Sequence, residues 1–392
     1  MSGIVVKPRA RIFHGHEWVY AAEVQKIFGQ PEPGSVVSLK DFKDRPLGSA
    51  IFNPQSQIIA RRFSRHKETL DREFFVRRLK RAWARRERMT GMDRSLCRVV
   101  WSESDGLPGV VIDRYGPHFV LQTLTLAMDQ RKALIVEAIV EVFQAETVVE
   151  RNDNAIRQAE GMEQIVSVLH GKAPGAFRMN TDGGSFLIDL VEGQKTGIYL
   201  DQLDNYRDVA TRAAGKRVLD CFCNQGGFAL ACAKAGAAHV TAVDASESAI
   251  ATARANAEAM GLSDRIEFVT ANVFDYLKAH ESSGTSWDCI ILDPPSFTRN
   301  KKSVGDALRG YKEIHLRSLK LLPHNGLLST YCCSHHVSTG EFRSIILEAA
   351  VDAKKTLCQI AFHQQRLDHP ILSTVPETEY LRGYTFELLA AF

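Results

Sequence analysis

The 392-residue chain contains no run of 18 apolar residues, so no membrane-spanning helix is expected. Its opening, MSGIVVKPRARIFHGHEWVY, lacks the apolar core of a signal peptide. Eight cysteines occur without a C-x-x-C pair, which removes the usual spacing of a zinc site, and no metal is expected. Most of them lie in apolar, strand-like runs, where a reduced thiol acts as a small hydrophobe. A reducing cytoplasm is the expected setting. There is no internal repeat and no low-complexity tract. The G-x-G-x-x-G turn of a dinucleotide site is also missing. What is present is an ordinary balance of 45% hydrophobic and 24% charged residues, which excludes a disordered chain. At roughly 100–200 residues per domain, the length implies two or three domains.

Charge is unevenly placed. Residues 61–94 hold thirteen Lys and Arg against five acids, a net of +8 in a chain of net +3, which leaves −5 for the rest. Such a stretch suggests a polyanion partner, with a solvated helix face as the plainer reading. Residues 71–89, DREFFVRRLKRAWARRERM, read as an amphipathic helix capped by Asp71. Phe75, Leu79, Ala82 and Trp83 follow the helical period and form its apolar stripe, with Trp83 as a core anchor. The arginines occupy the remaining face, and Arg77, Arg81 and Arg85 are the candidate RNA contacts.

The chain reads as three parts. Residues 1–70 show short strands punctuated by turns, a small β-barrel that resembles a PUA domain through R-x-x-x-G-H-x-W-V-Y (Arg11 to Tyr20), P-G-S-V-V (Pro33 to Val37) and L-G-S-A (Leu47 to Ala50). Residues 71–178 add the basic helix and a middle α+β domain, with tight turns at Asp105-Gly106 and Tyr115-Gly116. From 179 to 392 a βα rhythm takes over. Candidate strands there are 217–223, 239–245, 266–272, 287–293, 326–334, 357–365 and 384–392. Near-continuous apolar strands indicate a sheet buried on both faces. The last two strands have no helix between them, so they read as an antiparallel edge. The fold class is therefore α/β: a Rossmann-like, seven-stranded domain behind a β-barrel and an α+β domain.

The first strand of that domain ends in D-C-F-C-N-Q-G-G-F (Asp220 to Phe228). Asp220 would repel a pyrophosphate and suits a cationic or zwitterionic ligand. The next strand ends at Asp244, where an acid can accept both ribose hydroxyls of a nucleoside. Acidic turn, Gly226-Gly227 and strand-end acid together resemble the S-adenosylmethionine site of class I methyltransferases. Asn272 ends the third strand and is assigned to the adenine amino group through its carbonyl oxygen. The fourth strand ends in D-P-P-S-F (Asp293 to Phe297), a motif typical of methyltransferases acting on nucleic acid bases. Phe222 and Pro294 join Asp220, Gly226, Asp244, Asn272 and Asp293 as cofactor-side residues.

The fifth strand ends T-Y-C-C-S-H-H (Thr330 to His336). Carbon 5 of cytosine is a poor nucleophile, and a thiolate adding at C6 turns the ring into an enamine whose C5 can attack a sulfonium methyl. Asp293 at N3 would make C6 more electrophilic. Cys332 and Cys333 point to opposite faces, and Cys333 is the preferred nucleophile. His335 or His336 would lower its pKa if close and charged. The chain resembles the bacterial 23S ribosomal RNA (cytosine-5)-methyltransferase I group over nearly its whole length. The pieces are E-S-D-G-L-P-G-V-V-I-D-R-Y (Glu103 to Tyr115), K-T-G-I-Y-L-D-Q (Lys195 to Gln202), D-P-P-S-F, R-G-Y-K-E-I (Arg309 to Ile314), C-S (Cys333, Ser334) and D-H-P (Asp368 to Pro370).

The resemblance implies Cys333 as nucleophile, Tyr199 and Gln202 against the cofactor, S-adenosylmethionine as methyl donor and ribosomal RNA as partner. It departs from the group at Leu203 and Tyr206, which replace two arginines of D-Q-R-D-x-R, in C-N-Q-G-G, and at Asn272. Methylation of a base nitrogen, with Cys333 only structural, and a non-catalytic RNA-binding assembly factor remain as alternatives. A homodimer is compatible with all three.

Overall fold

The computed structural model describes residues 2–193, 197–298 and 301–390. Lys195 and Thr196 of the K-T-G-I-Y-L-D-Q piece lie outside these, as do the last two residues of the chain. The chain divides into two compact units. One holds 1–177, 188–200 and 367–378; the other holds 178–187, 201–366 and 379–392. Among the described residues no helix is long and apolar enough to cross a membrane.

The first unit begins with a six-stranded sheet made of short strands from Gly3–Val6 to Ala60–Ser64. Ile4, Val6, Leu39, Ala50 and Phe52 alternate inward to form its core. A second sheet of five strands, Leu96–Trp101, Val110–Tyr115, His118–Thr123, Thr147–Asn152 and Ile165–His170, follows the helix Arg72–Glu87. Asp71 caps that helix, accepting from the Phe74 N–H at 2.8 Å. Phe75, Leu79 and Ala82 are buried as their period predicts, together with Phe74. Trp83 packs edge-on against Phe143, centroids 5.4 Å apart, and serves as the expected anchor.

The arginines of the helix do not all face solvent. Arg86 has no accessible surface and pairs in fork geometry with Asp105 at 2.6 and 2.8 Å, while also donating to the carbonyls of Arg98 and Asp368. Arg61 and Arg62 are buried against Glu103 and Glu17. Burying a guanidinium without a carboxylate would be prohibitive, so these acids are where they must be. Much of the +8 is thereby neutralised inside the unit.

The second unit is built on seven strands: β1 (Arg217–Cys221), β2 (His239–Asp244), β3 (Ile266–Thr270), β4 (Cys289–Leu292), β5 (Leu327–Cys332), β6 (Thr356–Gln364) and β7 (Arg382–Leu389). Their order is β3-β2-β1-β4-β5-β7-β6. The first five are parallel; β7 runs antiparallel to both β5 and β6, so the last two strands pair as expected. β1, β4 and β5 are buried along nearly their whole length, the mark of a sheet covered on both faces. The order reverses between β1 and β4. Open α/β sheets bind ligands at the carboxyl ends beside such a switch point.

Candidate active site

The turn after β1 is held open by backbone geometry. Phe222, Asn224 and Gly226 all have positive φ, at 64°, 47° and 85°. Gly226 starts the helix Gly227–Lys234 from the left-handed region, which glycine adopts without a Cβ penalty. A Cβ on Gly227 would meet the Tyr206 ring at 2.3 Å. Tyr206, where the resembling group has arginine, fills the back of the turn and stacks edge-on with Phe228 at 4.6 Å. That departure is a packing change, and the glycine answers it.

Asp244 stands at the mouth of this turn. Its Oδ2 accepts from the Asn224 N–H at 3.0 Å and its Oδ1 from the Ser246 N–H at 2.9 Å. Each oxygen has a second lone pair, and the side chain is half-buried, so the carboxylate can still receive two hydroxyls. This acceptor chemistry fits the ribose hydroxyls of S-adenosylmethionine.

Asp220 is placed differently from the sequence expectation. It has no accessible surface and lies beneath the turn, where its Oδ2 accepts from the Ala229 N–H at 2.9 Å. Burial pushes its carboxyl well above the ordinary range, and the charges of Asp293 and Asp244 add to this. Asp220 thus props the turn from beneath, with burial disfavouring its charged form; the acidic face belongs to Asp244 and Asp293. Asn272 also departs from expectation. Its carbonyl oxygen caps the helix Val273–His280, accepting from Phe274 at 2.9 Å and Asp275 at 3.4 Å, so that oxygen is engaged and only its amide N–H groups remain to meet a base.

Asp293 follows β4 directly, and its N–H reaches the Cys221 carbonyl at 3.4 Å, which extends the β1–β4 ladder to the site. Gln202 is brought to it: Nε2 donates to Asp293 Oδ2 at 3.0 Å, and Oε1 accepts from Asn205 Nδ2 at 2.6 Å. Gln202 is 2% exposed with both ends of its amide engaged. It holds Asp293, whereas the resemblance implies a place against the cofactor. Tyr199 belongs to the segment 188–200 of the first unit.

The thiols sort by burial. Cys332 is buried in the core of the second unit, whereas Cys333 is half-exposed, with Sγ 3.9 Å from the Pro294 carbonyl. Cys332 is the last residue of β5, and Cys333 opens the segment after it. Burial pushes the thiols of Cys221, Cys223 and Cys232 up, and that of Cys289 up to about 12, which disfavours a thiolate at each. Ser334 fastens the two loops. Its Oγ lies 2.9 Å from Ser296 Oγ and 3.1 Å from the buried Tyr311 hydroxyl, tying the segment after β5 to the D-P-P-S-F segment after β4. His335 and His336 are exposed on the same loop, with His335 beside the Tyr380 ring at 5.9 Å.

Sequence reasoning did not find Asn205, Ser296 or the aromatic row Phe222, Phe297, Phe274 and Tyr311. Phe297 touches the other three rings, with centroids 6.4, 5.8 and 4.7 Å away. The spacing D-Q-x-x-N, one helical turn from Gln202 to Asn205, was the available signal for the first. Of the basic candidates, Arg77 pairs with Glu68 at 2.7 Å, Arg85 donates to the Ser104 carbonyl at 3.2 Å, and Arg81 is exposed.

Comparison with known proteins bears on the family and the fold. Residues 155–371 match the S-adenosylmethionine-dependent methyltransferase family and residues 4–65 a PUA-like domain. The chain is 39% identical over 373 residues to the ribosomal RNA large subunit methyltransferase I of Aliivibrio fischeri, 94% of each chain being covered. It is 36% identical over 391 residues to that of Vibrio vulnificus, with 98% of each covered. The solved structure of SMU.776, provisionally assigned as a methyltransferase and complexed with SAH, superposes with a TM-score of 0.85 at 25% identity over 99% of this chain and 100% of that one. S-adenosylmethionine is accordingly the cofactor of this fold. With a PUA-like domain ahead of that methyltransferase fold, the chain belongs to the ribosomal RNA large subunit methyltransferase I family.

Proposed function

We propose that the protein transfers a methyl group to C5 of a cytosine in large-subunit ribosomal RNA through a covalent bond from Cys333 to C6. The observation that carries this is the half-exposed Cys333 beside the Pro294 carbonyl, with its neighbour Cys332 turned into the core. Methylation of an exocyclic nitrogen needs no thiol. S-adenosylmethionine, when bound, supplies an electrophilic methyl; Asp244 would hold its ribose, and the mutually inclined rings of Phe222, Phe274 and Phe297 offer apolar surface to a ring. Cys333 sulfur adds to C6 and leaves C5 electron-rich, while Asp293 meets N3 and draws charge from the ring. Once C5 is methylated, its proton leaves to a base, the C5–C6 double bond re-forms and the thiolate departs. Residues 1–70 and 71–178 would hold RNA phosphates for position, and 179–392 would perform the transfer. The target base has to leave its stack to reach Cys333.

RNA carrying 5-fluorocytosine at the target tests this, because fluorine cannot leave as the proton does. Wild type is expected to accumulate a stable covalent complex, and Cys333→Ala to form none while retaining cofactor and RNA binding. Cys332→Ala should still trap RNA and lose on the order of 1 kcal/mol of stability, as for a small core deletion. Methyl transfer by the Cys333→Ala protein would overturn the assignment and favour a base nitrogen as the acceptor.

A further inference from the structure

The orientation of the amide beside Asp293 is determined by a chain of hydrogen bonds that starts at the backbone. Asn205 Nδ2 lies 3.2 Å from the Gln364 carbonyl, an oxygen that can only accept, so the nitrogen of Asn205 must point that way. The same Nδ2 lies 2.6 Å from Gln202, so the Gln202 atom there is its oxygen. The other end of Gln202 is then its nitrogen, and it meets Asp293 Oδ2 at 3.0 Å. Neither amide can flip without setting two oxygens against each other. Both side chains are buried, where an unpaired polar atom is costly.

We infer that Asn205 and Gln202 are positioning residues that keep a proton off Oδ2 of Asp293. An oxygen that accepts an N–H is disfavoured as the hydroxyl of a protonated acid, so the Gln202 amide disfavours a proton on Oδ2. The donated N–H also favours the ionised form. The relay therefore turns Oδ2 toward the amide and draws Asp293 toward its ionised form. This rests on the reading of Asp293 as the group at cytosine N3. Among the described residues the ionisable groups near Asp293 include Asp220 on β1 and Tyr331 on β5, with Asp244 across the turn, Cys333 past Pro294, and Asp201 next to Gln202; Asp201 itself accepts from the Tyr380 hydroxyl at 2.7 Å.

The test is the pH dependence of single-turnover methyl transfer to ribosomal RNA in the full chain. Gln202→Glu sets a carboxylate against Asp293. Asn205→Asp reverses the relay without touching Asp293, because it makes Gln202 turn its nitrogen away. Asn205→Leu removes the donor and adds no charge. The limb of the profile that belongs to Asp293 should move to higher pH in all three, by about one unit for Gln202→Glu and by less for the others. Calorimetric binding of S-adenosylmethionine identifies the folded variants. A purely structural role lowers the rate without moving the limb, so an unmoved limb in the folded variants overturns the inference. Absence of a 5-fluorocytosine adduct in wild type removes the underlying reading instead, and the two failures are separate measurements.

Discussion

At the residue scale, burial separates groups of the same type into different roles. Asp220, Asp244 and Asp293 crowd the ends of β1, β2 and β4, yet one is a buried prop, one an acceptor at the mouth and one a carboxyl held by an amide. Cys332 and Cys333 are adjacent in sequence and opposite in environment. The same logic gives a stability prediction at His315. This fully buried ring sits between the Tyr311 carbonyl at 2.5 Å and the Thr330 hydroxyl at 2.8 Å, and burial lowers its pKa to about 4 from 6.5. The folded value is depressed, so the unfolded chain takes up the proton first as pH falls. Stability is full above pH 6.5 and declines toward pH 4, by up to about 3 kcal/mol from this group. His315→Gln should be less stable at pH 7 but show a shallower fall in Tm between pH 7 and pH 5 than wild type. Parallel slopes for the two proteins would show that His315 does not titrate in this way.

At the scale of elements, the strands of the second unit were legible because buried parallel strands are written as apolar runs between helical periods. β1, β2, β3, β4 and β5 all fall inside the segments expected for them. So was the capped helix Arg72–Glu87, whose Asp71 and apolar stripe are local features. What composition could not convey was which polar groups turn inward. Arg86 lies on the helix face that packs, and only the presence of Asp105 across the contact makes that tolerable. Asn272 was read as a ligand at a strand end, but the residue there is also the first cap of the next helix, and the nearer N–H groups win. Gln202 was placed at the site through a resemblance, and its role depends on Asn205 and Asp293, 3 and 91 residues away, a relation no local pattern carries. The tie from Ser334 to Ser296 and Tyr311 is of the same kind, joining segments 38 and 23 residues apart.

At the scale of the whole molecule, the uneven charge remains a guide to RNA binding once the internal pairs are set aside. Arg61, Arg62 and Arg86 belong to the interior of the first unit, so fewer cations face solvent than the net +8 suggests. RNA affinity should still fall with added salt. Arg81→Glu should weaken RNA binding and lower the salt slope by about one, with less effect from Arg77 and Arg85, which already have partners. Filter binding across a salt series checks this, and an unchanged affinity after charge reversal at all three would reduce the helix to a solvated face. The central claim is the site of methylation, and release of label from C5 reads it directly. Ribosomal RNA tritiated at C5 of cytosine, incubated with the enzyme and S-adenosylmethionine, should release one tritium to water for each methyl group gained. Methylation with the tritium retained would contradict attack from C5 and, with it, the role given to Cys333.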